Sequence, residues 1–145
     1  MDKAEHEAEK RNWFLNTRKE FGNCGKILYA DDTPVGYAQY ACESMLPNSR
    51  EYGAKKLGTA EEKIVFISCL YVSDEKFRGK GLGERLLDEV VADLRNRGFR
   101  TVETFARKSS ANNPSGPMQF YLKKGFHVEE QLNTDPDFAL VRLNL

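Results

Sequence analysis

Arg78-Gly79-Lys80-Gly81-Leu82-Gly83 is the stretch of this 145-residue chain whose residue types and spacing most directly suggest chemistry. Its glycines let the main chain take conformations that a Cβ forbids and let a ligand approach the backbone closely. It leads into a run whose apolar residues, Leu82, Leu86, Leu87, Val90, Val91 and Leu94, recur on one helical face. A helix N-terminus carries unpaired N–H groups and partial positive charge, so the loop suits an anion such as a diphosphate. Arg78 and Lys80 add mobile charge at the same place. An ordinary strand-to-helix turn with solvated basic residues would have a similar composition. Spacing separates the phosphate loops from one another. The dinucleotide pattern G-x-G-x-x-G does not fit glycines at 79, 81 and 83. A P-loop requires Lys-Ser or Lys-Thr after its glycines, and neither follows here. The pattern present is R-x-x-G-x-G, at Arg78, Gly81 and Gly83.

The elements that would position this loop are legible on both sides. Ile64–Val72 is uncharged and rich in β-branched and aromatic residues, as a strand inside a sheet would be. Gly98 stops the helix, and Arg95 and Arg97 suit the negative end of its dipole. Thr101–Ala106 reads as a second core strand, parallel to the first because a helix joins them. Upstream, Ala4 to about Phe21 reads as a charged, amphipathic helix of imperfect periodicity. Lys26–Ala30 and Val35–Tyr40 flank the turn Asp31-Asp32-Thr33-Pro34 and form a hairpin. Ser44–Lys63 is a long polar connection, either a lid or substrate wall or a mobile surface loop. Downstream, Met118–Lys124 is a short helix stopped by Gly125, and Phe126–Val128 and Phe138–Leu145 are strands. The pattern is α/β (α+β) with a mixed sheet.

Composition narrows the function classes. The length suits one domain, residues 1–145, and 40% hydrophobic residues suffice for a core. Twenty-two basic residues balance 22 acidic ones, which favours neither nucleic acid nor a membrane surface. No apolar run approaches a membrane span, and the N-terminus does not read as a signal peptide. Cys24, Cys42 and Cys69 are odd in number and lack metal-like spacing, which points to a reduced, cytoplasmic chain without a metal. His6 and His127 lie far from Cys69 in sequence, so Cys69 reads as a packed core thiol rather than an acyl-carrying nucleophile.

A second motif, Phe120-Tyr121-Leu122-Lys123-Lys124-Gly125-Phe126, would by itself be a helix end with core aromatics. It lies one strand beyond the glycine loop. With R-x-x-G-x-G after a central strand and Y-x-x-x-G-F after the next, the chain resembles the GNAT superfamily of acyl-CoA-dependent N-acyltransferases, from about Lys26 to its end. The resemblance implies a mostly antiparallel sheet with one splayed parallel strand pair, flanked by helices. It implies acetyl-CoA as co-substrate, its pantetheine amides along Leu70 and Val72 and its pyrophosphate on Arg78, Gly79, Lys80, Gly81, Leu82 and Gly83. A small-molecule or peptide amine would attack the thioester directly, with a backbone N–H beside the acyl oxygen. Tyr121 would protonate the departing thiolate. Glu103 is the first candidate for the base that neutralises the amine, and Glu43 the second.

Two departures follow from the same resemblance. Family members often carry an asparagine seven residues before the tyrosine; here that position is Pro114, so Asn113 becomes the candidate cofactor contact. The chain begins with a helix where the family usually begins with a strand, which would leave a sheet edge suited to a partner chain, such as a homodimer. A non-catalytic acyl-CoA-binding sensor of the same fold is the alternative, needing the glycine loop but neither acid nor base. A nucleotide-phosphate binder unrelated to acyl transfer is a third class.

Overall fold

Asp2 Oδ1 accepts the Glu5 N–H at 2.9 Å while Glu5 Oε2 accepts the Asp2 N–H at 3.1 Å. This reciprocal cap opens helix α1, Lys3–Glu20. The structure is a computed structural model that describes residues 2–73, 81–108 and 117–145, apart from the Arg50 side chain. After α1 come the hairpin β1 (Gly25–Ala30) and β2 (Thr33–Ala41), then 3₁₀ turns at Glu43–Met45 and Pro47–Tyr52. Strand β3 (Ile64–Val72), helix α2 (Leu82–Asn96) and strand β4 (Thr101–Arg107) form the central unit. Helix α3 (Met118–Lys123) and strands β5 (His127–Gln131) and β6 (Phe138–Asn144) complete the order. α1 differs from expectation in its packing: Thr17 is its buried residue, while Phe14 and Leu15 stay exposed. Its first turns are held by the cap and by charge, and only Trp13 and Phe21 reach the core from this end of the chain.

The sheet order is β1-β2-β3-β4-β6-β5. Every neighbouring pair is antiparallel except β3 and β4, which run parallel as expected. That parallel pairing is short. It joins Ile64 to Thr101, Val65 to Val102 and Phe66 to Glu103, although both strands continue beyond it. A second irregularity lies beside it. Gln39 faces Cys69 but Tyr40 faces Ile67, so Ser68 is an extra residue that bulges β3.

The two faces of the sheet are packed differently. On one, Leu86, Leu87, Val90 and Leu94 of α2 cover Val65, Ile67 and Val102, joined by Met118 and Tyr121 of α3. Each such side chain removed from water contributes roughly 1.5–3 kcal/mol. On the other, Phe66, Phe105 and Leu140 lie under the 3₁₀ turns and Trp13. The far end of α2 is tied to the hairpin by polar contacts. The buried Tyr40 hydroxyl donates to Asp93 Oδ2 at 2.7 Å, and Arg97 donates to the same oxygen at 2.9 Å and to the Asn23 carbonyl at 2.6 Å. Asp93→Ala removes the acceptor shared by a buried phenol and a guanidinium. Urea denaturation is expected to show a loss of about 1–3 kcal/mol, and an unchanged midpoint would rule out this tie.

Candidate active site

α2 begins in an unusual way. Its N-cap, Gly81, has φ +77°, and no side chain caps the first turn. Among the described residues a Cβ at Gly81 would meet nothing within 4 Å, whereas one at Gly83 would lie 3.6 Å from the Phe120 ring. No described atom crowds the helix start, and the left-handed backbone there suits glycine. Leu82 and Gly83 are the first two helical residues, whose N–H groups have no partner within the helix. Lys123 holds Glu84 of the first turn at 3.0 Å, offsetting its charge where an anion would approach. Arg78, Gly79, Lys80 and Asn113, expected at this site, lie outside the described residues.

Tyr121 stands where β3 and β4 cease to pair. It is fully buried and hydrogen-bonded with Thr104, whose Oγ1 donates to the Ile67 carbonyl at 2.7 Å. Thr104 and Ile67 are the residues immediately past the last parallel pair. Burial pushes the Tyr121 phenol above its ordinary pKa, so it holds its proton across the physiological range. Leu70 and Val72 lie on this same outer half of β3, facing Ala38 and Gly36 of β2.

On the opposite face a cavity of about 800 Å³ opens beside the bulge. Its walls come from α1, the second 3₁₀ turn and four strands, and many are aromatic: Trp13, Tyr37, Tyr52, Phe66, Phe105 and Phe138. Ser68 and Cys69 lie at the bulge end, where Gln39 Nε2 donates to Ser68 Oγ at 3.0 Å and Ser68 Oγ donates to the Gln39 carbonyl at 3.2 Å. Cys69 is half-buried and shares a hydrogen bond with Tyr37. It is therefore a cavity residue rather than the packed core thiol expected. Burial raises its pKa, which disfavours the thiolate a nucleophile needs. The same hydrogen bond leads the causes that lift the Tyr37 phenol to about 12.

The two carboxylates expected near the acceptor do not line this cavity. Glu103 is fully buried with both oxygens engaged. Oε1 accepts the Gly58 N–H at 2.6 Å, and Oε2 takes Arg142 Nη2 at 2.8 Å and Nε at 3.1 Å. Arg142 also donates to the Lys56 carbonyl at 2.7 Å. The Glu130 carboxylate accepts the Lys55 and Lys56 N–H groups, and Thr134 Oγ1 donates to the Tyr52 carbonyl. The long connection is thus pinned as a wall. Glu43 is buried at the start of the first 3₁₀ turn.

Sequence reasoning missed Thr104, Ser68, Ser49 and the aromatic cavity. A usable signal was Ser68-Cys69 interrupting an otherwise apolar strand, which is how a bulge reads. Among the described residues no cluster of metal-ligating side chains occurs, and no helix is long and apolar enough to cross a membrane.

Comparison with known proteins gives this geometry its context. The profile of the acetyltransferase (GNAT) family matches residues 1–126. A search of curated proteins finds no match. Among solved structures, the chain is similar to YncA of Salmonella typhimurium, a putative acetyltransferase seen with acetyl-CoA, at 19% identity and a TM-score of 0.67, covering 94% of this chain and 73% of that one. It is similar to a ribosomal-protein-alanine N-acetyltransferase of Brucella melitensis at 19% identity and a TM-score of 0.65, covering 94% and 78%. It is also similar to the PaiA N-acetyltransferase of Thermoplasma acidophilum in complex with coenzyme A, at 17% identity and a TM-score of 0.62, covering 92% and 68%.

Glu103→Ala would leave the Gly58 N–H and much of the Arg142 charge without a buried partner. A loss of about 3 kcal/mol is expected in urea denaturation, with faster amide exchange at Gly58. In the unmutated protein, burial outweighs the pull of Arg142 and the Gly58 N–H, so the Glu103 pKa lies above the ordinary 4.5. Its contribution to stability is then full below that unfolded value and declines as pH rises through the raised folded one. In Glu103→Ala this component of the acid-range stability curve should vanish.

Proposed function

Since the chain belongs to the GNAT acetyltransferase family, we propose that it transfers an acetyl group from acetyl-CoA to a primary amine. The observation that carries this reading is the early end of the β3–β4 pairing, with Tyr121 beneath it and the uncapped start of α2 beside it. The residues present suit acetyl-CoA. We assign the pyrophosphate to the start of α2, where no described atom crowds Gly81, Leu82 and Gly83 offer N–H groups, and Arg78, Gly79 and Lys80 precede them in sequence. The main chain of β3 between Leu70 and Val72 receives the pantetheine amides as an added strand would pair, and Asn113 is assigned to the same groove.

In the reaction the amine nitrogen bonds to the acetyl carbon, the C–S bond breaks, and the thiolate leaves with a proton. We assign that proton to Tyr121, which is neutral until it donates and regains a proton when the nitrogen sheds its second one on forming the amide. The bulge at Ser68 supplies main-chain N–H groups that are out of step with β2, and one of these is assigned to the carbonyl oxygen as it gains charge. Because no described lining side chain is a carboxylate, the proton of the incoming ammonium is assigned to water in the cavity. Glu103 is assigned a positioning role, anchoring at Gly58 the connection whose earlier residues Pro47, Asn48, Ser49 and Tyr52 line the cavity. Cys24, Cys42 and Cys69 are free thiols, which supports a reducing, cytoplasmic setting.

Calorimetric titration with acetyl-CoA tests the cofactor site. Gly81→Asn tolerates the left-handed backbone and should bind within a few-fold of wild type. Gly81→Asp has nearly the same shape but carries a negative charge, and should bind at least about tenfold more weakly. Equal binding by both would place the pyrophosphate elsewhere, and no binding by wild type would sink the proposal.

Tyr121→Phe should lower kcat about 10- to 100-fold without abolishing turnover, since a thiolate is already a fair leaving group. In wild type the kcat profile should show no descending limb at the ordinary phenol value near 10. An unchanged kcat in the variant would remove Tyr121 from the chemistry, and would point to a binding role alone for this residue.

A further inference from the structure

Many amine-binding pockets are acidic, and the described lining of this cavity is not. Among its described lining residues there is no Asp or Glu, and the sole charge is Lys10 on α1. A polyamine or other polycation seated there would leave its remaining ammonium groups among aromatic rings without a counter-charge, beside a cation of the same sign. A single amine faces a smaller cost, because an apolar site favours the neutral form that attacks. One further group in the cavity is unsatisfied. Ser49 is 5% exposed, lines the cavity, and its Oγ is the buried side-chain polar atom without a hydrogen-bond partner among the described residues. Buried hydroxyls are nearly always paired in native structures, so Ser49 is a lining side chain with hydrogen-bonding capacity to spare among the described residues.

Resting on the acyl-transfer reading above, we infer that the acceptor is a compact primary amine on an aromatic body that also bears one hydrogen-bonding group, and is not a polycation. The body packs against Trp13, Tyr52 and Phe138, with its polar group on Ser49 and its amine directed to Ser68 and Cys69, where β3 leaves β4. A volume of about 800 Å³ lies within the range of pockets that enclose such small molecules. Tyr52 stacks on Phe105 at 4.4 Å and meets Phe138 edge-on at 5.2 Å, so these rings form one continuous aromatic surface on which a planar ligand can lie.

Trp13 is the single tryptophan of the chain and lines this cavity, so its fluorescence reports occupancy without any need for turnover. Tyramine, 2-phenylethylamine and spermidine serve as probes, each titrated against Trp13 emission and then assayed by thiol release with acetyl-CoA. Tyramine should perturb Trp13 saturably and spermidine should not, and kcat/KM for tyramine should exceed that for spermidine by at least about tenfold. Ser49→Ala should lower kcat/KM for tyramine by about tenfold and leave 2-phenylethylamine within about twofold. Spermidine equalling or surpassing tyramine would overturn the inference, as would acetyl-CoA binding without acetylation of either aromatic amine. An equal effect of Ser49→Ala on both aromatic amines would overturn the role of Ser49. If that variant fails to fold, the wild-type comparison of tyramine with spermidine still decides the class. Failure of acetyl-CoA to bind would instead remove the acyl-transfer reading, and the Trp13 titration would still decide what the cavity accepts.

Discussion

The rest of the structure depends on a parallel pairing that stops after three residue pairs. β3 and β4 are joined from Ile64 and Thr101 to Phe66 and Glu103, and then part. Where a sheet opens inside a protein, its backbone groups need other partners, because a buried unpaired N–H or C=O is costly. Two side chains manage the transition. The Thr104 hydroxyl takes the Ile67 carbonyl, and Tyr121 closes on Thr104 from the α2 side. The bulge at Ser68 bends β3 at the same level, and Gln39 and Ser68 hydrogen-bond each other across it. A longer pairing would satisfy more backbone groups and leave no site.

Glu103 shows how a buried charge can look catalytic and act otherwise. A carboxyl whose pKa is raised by burial, on the strand next to a reaction site, fits the usual profile of a general base. Geometry takes precedence over pKa in that judgement. Both Glu103 oxygens are engaged, by a backbone N–H and by a guanidinium that itself grips the Lys56 carbonyl. Such pairs are weak sources of net stability, yet removing one partner is expensive. The pair is better understood as fixing where a polar, irregular connection lies against an aromatic face, and that connection is one wall of the cavity.

What was legible in the sequence follows from the range of the interactions involved. β3 was readable to its end residues and α2 to within one, because apolar periodicity, a glycine stop and the loop between them are local signals. The parallel sense of β3 and β4 followed from the helix that joins them. β5 was read short, since His127, Glu129 and Glu130 mask its strand character, and pairing with β6 decides it. The cavity was not readable. Trp13, Ser49, Phe66 and Phe138 come from four separate elements, and nothing local says that they meet. Glu103 finds Gly58 and Arg142 at separations of 45 and 39 residues, so its carboxylate looked free in sequence.

The sheet also divides the chemistry into two compartments. Tyr121 belongs to the packed side under α2, where it is dry and keeps its proton. The aromatic cavity belongs to the other side, with Phe66 and Phe105 as its floor. In the proposed reaction, a proton donor on one face and an acceptor pocket on the other can work together only where the sheet between them is open. Cys69 marks that place, since it lines the cavity and yet lies close enough to Tyr121 to raise its pKa. Under the acyl-transfer reading, a thioester lying in the opening presents its carbonyl to the cavity and its sulfur to the phenol. The donor stays in the dry interior, where burial further disfavours its phenolate, and the amine keeps a separate approach on the wetter side. In the proposed reaction that separation lets a neutral acid and a neutral base act from opposite faces of one sheet.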